Sequence, residues 1–189
     1  MNPYPTLQTE RLVLRAFTRE DAPDVQRLAG AREIARMTLL IPHPYQDGAA
    51  EEWIFTHRPA YEAGEHVTFA VALGEEGTLL GSIALGLNPR DDNAELGYWI
   101  GVPYWGRGYC TEAAREVIRY GFEDLGLHRI HSSHFGSNPA SGRVMQKIGM
   151  RYEGTGREHY KKWGDYEDRV DYGLLASEWR DATAPRQPG

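Results

Sequence analysis

The densest chemistry in this sequence lies in one stretch, 95–114, which reads E-L-G-Y-W-I-G-V-P-Y-W-G-R-G-Y-C-T-E-A-A. Its aromatic and β-branched first part, 95–102, reads as a strand, in which Gly97 and Gly101 suggest a bulge or a close backbone approach. Its last part opens a helix over 111–125, because Ala114, Val117, Ile118, Phe122 and Leu125 recur at three- and four-residue spacing and Gly126 stops the run. Between them lies Gly106-Arg107-Gly108. The first amides of a helix have no internal partners, so they aim N–H groups and a positive dipole end into the turn before them. Such a turn can hold a phosphate: the glycines let backbone approach an anion with no Cβ in the way, and Arg107 adds a charge-assisted contact. The same glycines also suit an ordinary strand-to-helix turn through their dihedrals alone. The P-loop is excluded because no lysine follows either glycine, and the dinucleotide fingerprint because Thr111 stands at its third glycine.

Cys110 sits where a helix start lowers a thiol pKa. No histidine is adjacent in sequence to activate it, so it reads as a small packing residue and not as a nucleophile. His128, His131 and His134 have ligand-like spacing only on a helix. On the strand read below, His131 points away from the other two, so no metal site is expected. Trp53, Tyr45, Trp163 and Tyr166 can line a pocket for an acceptor, or equally pack a core or an oligomer contact.

Around this stretch, residues 12–17 alternate as a first strand, and Thr18 with Asp21 forms a capping box before a helix to Ala29. From 31 to 47 no period is clear, and Ile41-Pro42-His43-Pro44 is extended or loop because of its prolines. A second helix spans 47–63. Strands at 66–73 and 78–87, joined by a glycine-rich turn, make a meander with 94–102 that ends in the glycine turn. After the central helix, 129–135 is a strand parallel to the one before Gly106, because a helix crosses between them. A helix at 139–148 capped by Asn138, a hairpin of 150–160 with 165–175, and a frayed tail over 180–189 complete the chain.

At 189 residues and 41% hydrophobic content the chain fills one core, and a single soluble domain over 1–179 is expected. The net charge of -6 disfavours broad nucleic-acid or anionic-membrane surfaces and suits a cationic or amine substrate. No apolar run is long enough to span a bilayer, residues 1–9 lack the regions of a secretion signal, and the one cysteine cannot form an internal disulfide. A cytoplasmic location is expected.

Three separated motifs, L-x-T-E-R-L-V-L-R at 7–15, the stretch from Glu95, and N-P-A-S-G-R-V-M-Q-K-I-G-M at 138–150, followed by the hairpin, resemble the GNAT acetyltransferase superfamily and its RimJ/RimL-like N-acetyltransferases. The likeness spans nearly the whole chain. It implies an α/β (α+β) GNAT fold, a mixed, mostly antiparallel sheet of about six or seven strands with about four helices, whose parallel fourth and fifth strands splay in a V. It places the pantetheine arm of acetyl-CoA in that V and the pyrophosphate on the turn from Gly106 to Thr111. Gly106, Arg107, Gly108, Tyr109, Cys110 and Thr111, with Ile100, Gly101, Val102 and Asn138, are then the cofactor-binding residues. Two positions depart from the pattern. Pro103 replaces a frequent Gln or Arg, which removes a side-chain contact but not the backbone cradle. Met145 stands where many relatives carry a tyrosine that protonates the departing thiolate, and Ser141 is the expected substitute.

An amine attacks a thioester only when unprotonated, so a base or water chain must accept its proton. Glu95, on the strand before the cleft, is the candidate base, although a strand glutamate is commonly just solvated or paired. A bulged strand near Ile100 to Val102 can present a backbone N–H to the oxyanion. Direct transfer in a ternary complex then rests on proximity. The expected reaction moves acetyl from acetyl-CoA to a primary amine, on a protein N-terminus or a small molecule, in a monomer or a homodimer. The alternatives are another acyl-CoA such as succinyl-CoA, or a non-catalytic acyl-CoA-binding module.

Overall fold

The computed structural model of the chain describes residues 3–74 and 76–183. Its strands are β1 (Leu7–Gln8), β2 (Leu12–Arg15), β3 (His66–Leu73), β4 (Leu79–Asn88), β5 (Asn93–Ile100), β6 (Arg129–Phe135), β7 (Arg151–Lys162) and β8 (Asp165–Leu175). They form one sheet in the order β1-β2-β3-β4-β5-β6-β8-β7. Its helices are α1 (Ala22–Ala29), α2 (Arg32–Met37), α3 (Ala49–Glu62), α4 (Tyr109–Arg119), α5 (Pro139–Lys147) and α6 (Ala176–Thr183).

Every pairing is antiparallel except β5 with β6, which run parallel because α4 crosses between them. This pair is short: Asn93 faces Arg129, Ala94 faces Ile130 and Glu95 faces His131, and there the ladder stops. β6 instead pairs with β8 along its whole length, from Arg129 to Phe135. β5 continues to Ile100 with β4 on one side and an open gap on the other. The last tie across the fork is Ser132, buried, whose Oγ donates to the Leu96 carbonyl at 2.7 Å.

Alternation sorts the two faces of the sheet. Leu85, Ala94, Leu96 and Ile130 turn toward α4, whose Ala113, Ala114, Val117 and Ile118 are buried against them. α5 and α6 cover the same side. On the opposite face α1 and α3 pack Val25, Leu28 and Ala50 over Ala70 and Leu79. The capping box forms with aspartate: the Thr18 N–H donates to Asp21 Oδ2 at 2.8 Å, and Arg15 grips both oxygens of that carboxylate.

Four details differ from the sequence reading. β1 and α2 went unread because two and six residues are too short to display a period. α4 begins at Tyr109 rather than Thr111, since Gly108, left-handed at φ 82, lets the chain enter the helix at once. After Arg119 the helix widens into a π-helical turn over Tyr120–Asp124. α6 carries ordered helix into the span expected to fray, with Glu178 accepting from the Leu175 N–H at 3.0 Å; residues 184–189 lie outside the described residues.

Candidate active site

At the turn after β5, Gly106 and Gly108 hold φ of 76 and 82, a region that side chains with a Cβ rarely enter. A Cβ at Gly106 would meet nothing within 4 Å, and one at Gly108 only the tip of Arg11 at 3.5 Å. The turn therefore opens outward. The first amides of α4, from Tyr109 to Thr111, point into it, and no side chain among the described residues caps them. This is the space and polarity that an anion such as a diphosphate requires. Arg107 is exposed beside it, and its carbonyl accepts from Arg11 Nη1 at 3.1 Å.

The gap beside β5 exposes backbone for a reason different from the expected bulge. The β4–β5 register is unbroken, so β5 has no bulge; its edge is bare because β6 leaves it. Gly101 is a close-approach glycine, but what approaches is Leu28, within 2.6 Å of where a Cβ would sit. The Leu96 carbonyl bonds to Ser132 and the Ile100 carbonyl to Trp105 Nε1 at 2.5 Å, whereas the Gly101 N–H donates to the Leu80 carbonyl in β4 at 2.8 Å. Backbone polarity alternates along a strand, so the N–H groups of Tyr98 and Ile100 face the gap. Val102 has already turned into the 3₁₀ turn Val102–Tyr104.

On the α4 side of the gap, Ser141 stands in the first turn of α5 with its Oγ 2.8 Å from the Tyr98 hydroxyl. Tyr98 also donates to the Ser141 carbonyl at 3.2 Å. Burial pushes the phenol well above its ordinary pKa, so Tyr98 stays a neutral donor. Asn138 Oδ1 accepts from the Ser141 N–H at 3.3 Å, which is the capping role. Met145 is buried beneath α5. Burial pushes the Cys110 thiol up to about 12, so it carries no thiolate at neutral pH.

On the opposite face Glu95 is exposed and lies across from His131 at the root of the fork. Burial holds the His131 pKa below its usual value despite the Glu95 carboxylate nearby, so the imidazole is neutral and able to accept a proton. Beside them runs a groove of about 530 Å³, lined by Arg129, His131, Glu153, Arg169 and Asp171 among others. Its arginines are engaged: Arg129 Nη1 donates to Glu153 at 2.6 Å and Arg169 Nε to Asp171 at 2.7 Å.

The four aromatics fall into two groups. Trp53 packs on Phe17 and His57 at ring separations of 5.1 and 4.3 Å and Tyr45 joins the same cluster, while Trp163 sits at the hairpin tip near His43 and Tyr166 lies exposed near Lys161. Packing of α3 on the sheet claimed the first two. Tyr98 and His131 were passed over as site residues. Alternation from Leu96 puts Tyr98 on the α4 face, a legible signal, but its partner on α5 was not. Among the described residues no three His, Cys, Asp or Glu side chains gather as a metal site.

Residues 11–151 match the acetyltransferase (GNAT) domain family. The chain is a GNAT acetyltransferase. It is an acyltransferase, and YnaD of Bacillus subtilis, described as an uncharacterized N-acetyltransferase, is 30% identical over 179 residues, or 92% of this chain and 98% of YnaD. A GNAT acetyltransferase from Bacillus anthracis has a TM-score of 0.82 at 26% identity, covering 92% of this chain and 99% of that one. RimJ of Mycobacterium smegmatis, solved with CoA-disulfide, has a TM-score of 0.79 over 88% of this chain and 83% of its own; at 22% identity it supports the shared fold. No helix among the described residues is long and apolar enough to cross a membrane.

Proposed function

We propose that this enzyme transfers acetyl directly from acetyl-CoA to a primary amine, on a protein N-terminus or a small molecule, within a ternary complex. The observation that carries this reading is the placement of candidate base and candidate acid on opposite faces of one gap. Glu95 and His131 lie on the groove side, and Tyr98 with Ser141 on the α4 side.

In this reading the amides at Tyr109, Cys110 and Thr111, with the backbone of Gly106, Arg107 and Gly108, hold the diphosphate. The pantetheine arm runs along Ile100, Gly101 and Val102 toward Asn138, and the thioester carbonyl meets the inward N–H groups of β5. The acceptor enters by the groove as an ammonium ion, drawn by Glu95, and gives up its proton to Glu95 directly or through water and His131. Its lone pair forms the C–N bond while the carbonyl oxygen takes up charge against the backbone donors. Collapse breaks the C–S bond, and the nitrogen releases its second proton to water in the groove. The sulfur receives a proton from the Ser141 hydroxyl, which is held by Tyr98 and regains its proton from solvent as product leaves. No covalent enzyme intermediate is needed, since alignment of the two reactants supplies much of the rate.

Thiol release from acetyl-CoA and succinyl-CoA, measured against a panel of free amines and peptide N-termini with mass detection of product, tests the reading. Release that depends on the amine and favours acetyl-CoA is expected. A burst of thiol without amine, or a preference for succinyl-CoA, overturns it.

A further inference from the structure

The turn between β1 and β2 lies far in sequence from the glycine turn, yet it reaches it with three side chains or amides. Thr9 closes that turn on itself, its N–H donating to the Leu12 carbonyl and the Leu12 N–H to Thr9 Oγ1, both at 2.9 Å. From this rigid base Thr9 Oγ1 donates to Glu112 Oε1 at 2.6 Å, and the Arg11 N–H donates to the same oxygen at 3.0 Å. Arg11 Nε reaches Glu112 Oε2 at 2.7 Å, and its Nη1 reaches the Arg107 carbonyl at 3.1 Å. The guanidinium covers the Tyr109 ring, 4.6 Å from its centroid. The residues on both sides of Gly108 are thus tied to one outside anchor.

We infer that Arg11, fixed by Glu112 and Thr9, is a positioning residue that pre-shapes the glycine turn for the diphosphate of the acyl donor. This rests on the reading that the turn binds that diphosphate. Two physical arguments carry it. A turn of left-handed glycines facing open space has many conformations to lose on binding, and bonds that select one of them beforehand reduce that entropic cost. Glu112 also places a carboxylate in the first turn of α4, close to where a diphosphate would sit, and the fork of Arg11 offsets its charge. Only a planar fork can span the Arg107 carbonyl and the Glu112 carboxylate together; an ammonium can supply charge but not that span.

The test compares acetyl-CoA with S-acetylpantetheine, which carries the same thioester and no diphosphate, in wild type, Arg11→Gln, Arg11→Lys and Thr9→Val, with folding checked by circular dichroism and thermal melting. The wild-type preference for acetyl-CoA in kcat/KM is expected to shrink about tenfold or more in both Arg11 variants, through KM, and about threefold in Thr9→Val. Parallel losses on both donors, with the preference intact, show a scaffold role only and overturn the inference. Restoration by lysine overturns it in favour of simple charge. Should Arg11 variants not fold, Thr9→Val, which removes one bond and keeps the shape, decides alone. A wild-type enzyme indifferent to the diphosphate removes the underlying site reading, and the inference with it.

Discussion

The two sides of the gap beside β5 are built from different material. The side proposed for the donor is mostly backbone: two left-handed glycines, the uncapped amides of α4 and the bare edge of a strand, in one continuous stretch from Tyr98 to Thr111. The groove side, where the proposed acceptor would enter, is mostly side chains, with Glu95, His131, Glu153, Arg169 and Asp171 delivered by four different strands. A backbone site constrains only the few positions whose dihedrals it needs. A side-chain site can be rewritten one residue at a time without disturbing the sheet beneath it. One molecule can thus keep its donor and change its acceptor.

The sharpest attempt to break that contrast is Gly108→Val. A β-branched residue at φ 82 is strained, and its side chain fills the turn; KM for acetyl-CoA should rise on the order of a hundredfold or more, and wild-type saturation would mean that the donor site is not made of this backbone. Next comes Glu95→Gln, expected to lower kcat by about a hundredfold at neutral pH with acetyl-CoA binding intact, the deficit narrowing at higher pH as the ammonium form of the substrate loses its proton unaided. Full turnover would remove Glu95 from the chemistry. Ser141→Ala and Tyr98→Phe should each cost about tenfold in kcat, shrinking with thioesters of more acidic thiols that depart without a proton.

The smallest effect concerns neither side. His57 is buried on α3 with no hydrogen-bond partner among the described residues for either ring nitrogen, and burial lowers its pKa from 6.5 to about 4. The unfolded chain therefore takes up this proton first, so stability falls as pH drops through 6.5 and the loss ends near 4. Between pH 7 and 6 this amounts to roughly 0.5–1 kcal/mol, and His57→Phe should flatten that part of a melting-temperature profile.

The meander and the central helix were legible from apolar periodicity, and the parallel return strand and the hairpin from what flanks them, a crossing helix and the turn at 161–164. β1 and α2 were not, being shorter than one informative window. Within the site, Gly106 and Gly108 could be read because their requirement is local. Tyr98 and Ser141, 43 residues apart, meet only because α5 folds back over β6, and His131 faces Glu95 only through the parallel register. The contact of Thr9 and Arg11 with Glu112 spans about half the chain and has no local sign at all. Trp53 could be read either way because aromatic spacing on a helix looks the same whether the helix faces a ligand or a sheet.

An exposed strand margin ordinarily invites another protein to add itself, which is why folded chains cover or blunt such margins. Here the vacant rank lies inside the fold, with α4 and α5 on one flank and β6 on the other, so no neighbouring sheet can reach it. A thin chain carrying its own amides can, and the pantetheine arm of the proposed donor would be such a guest, entering as an imitation of the missing rank. The fold thereby shuts an aggregation hazard away from other proteins while leaving its backbone polarity in place.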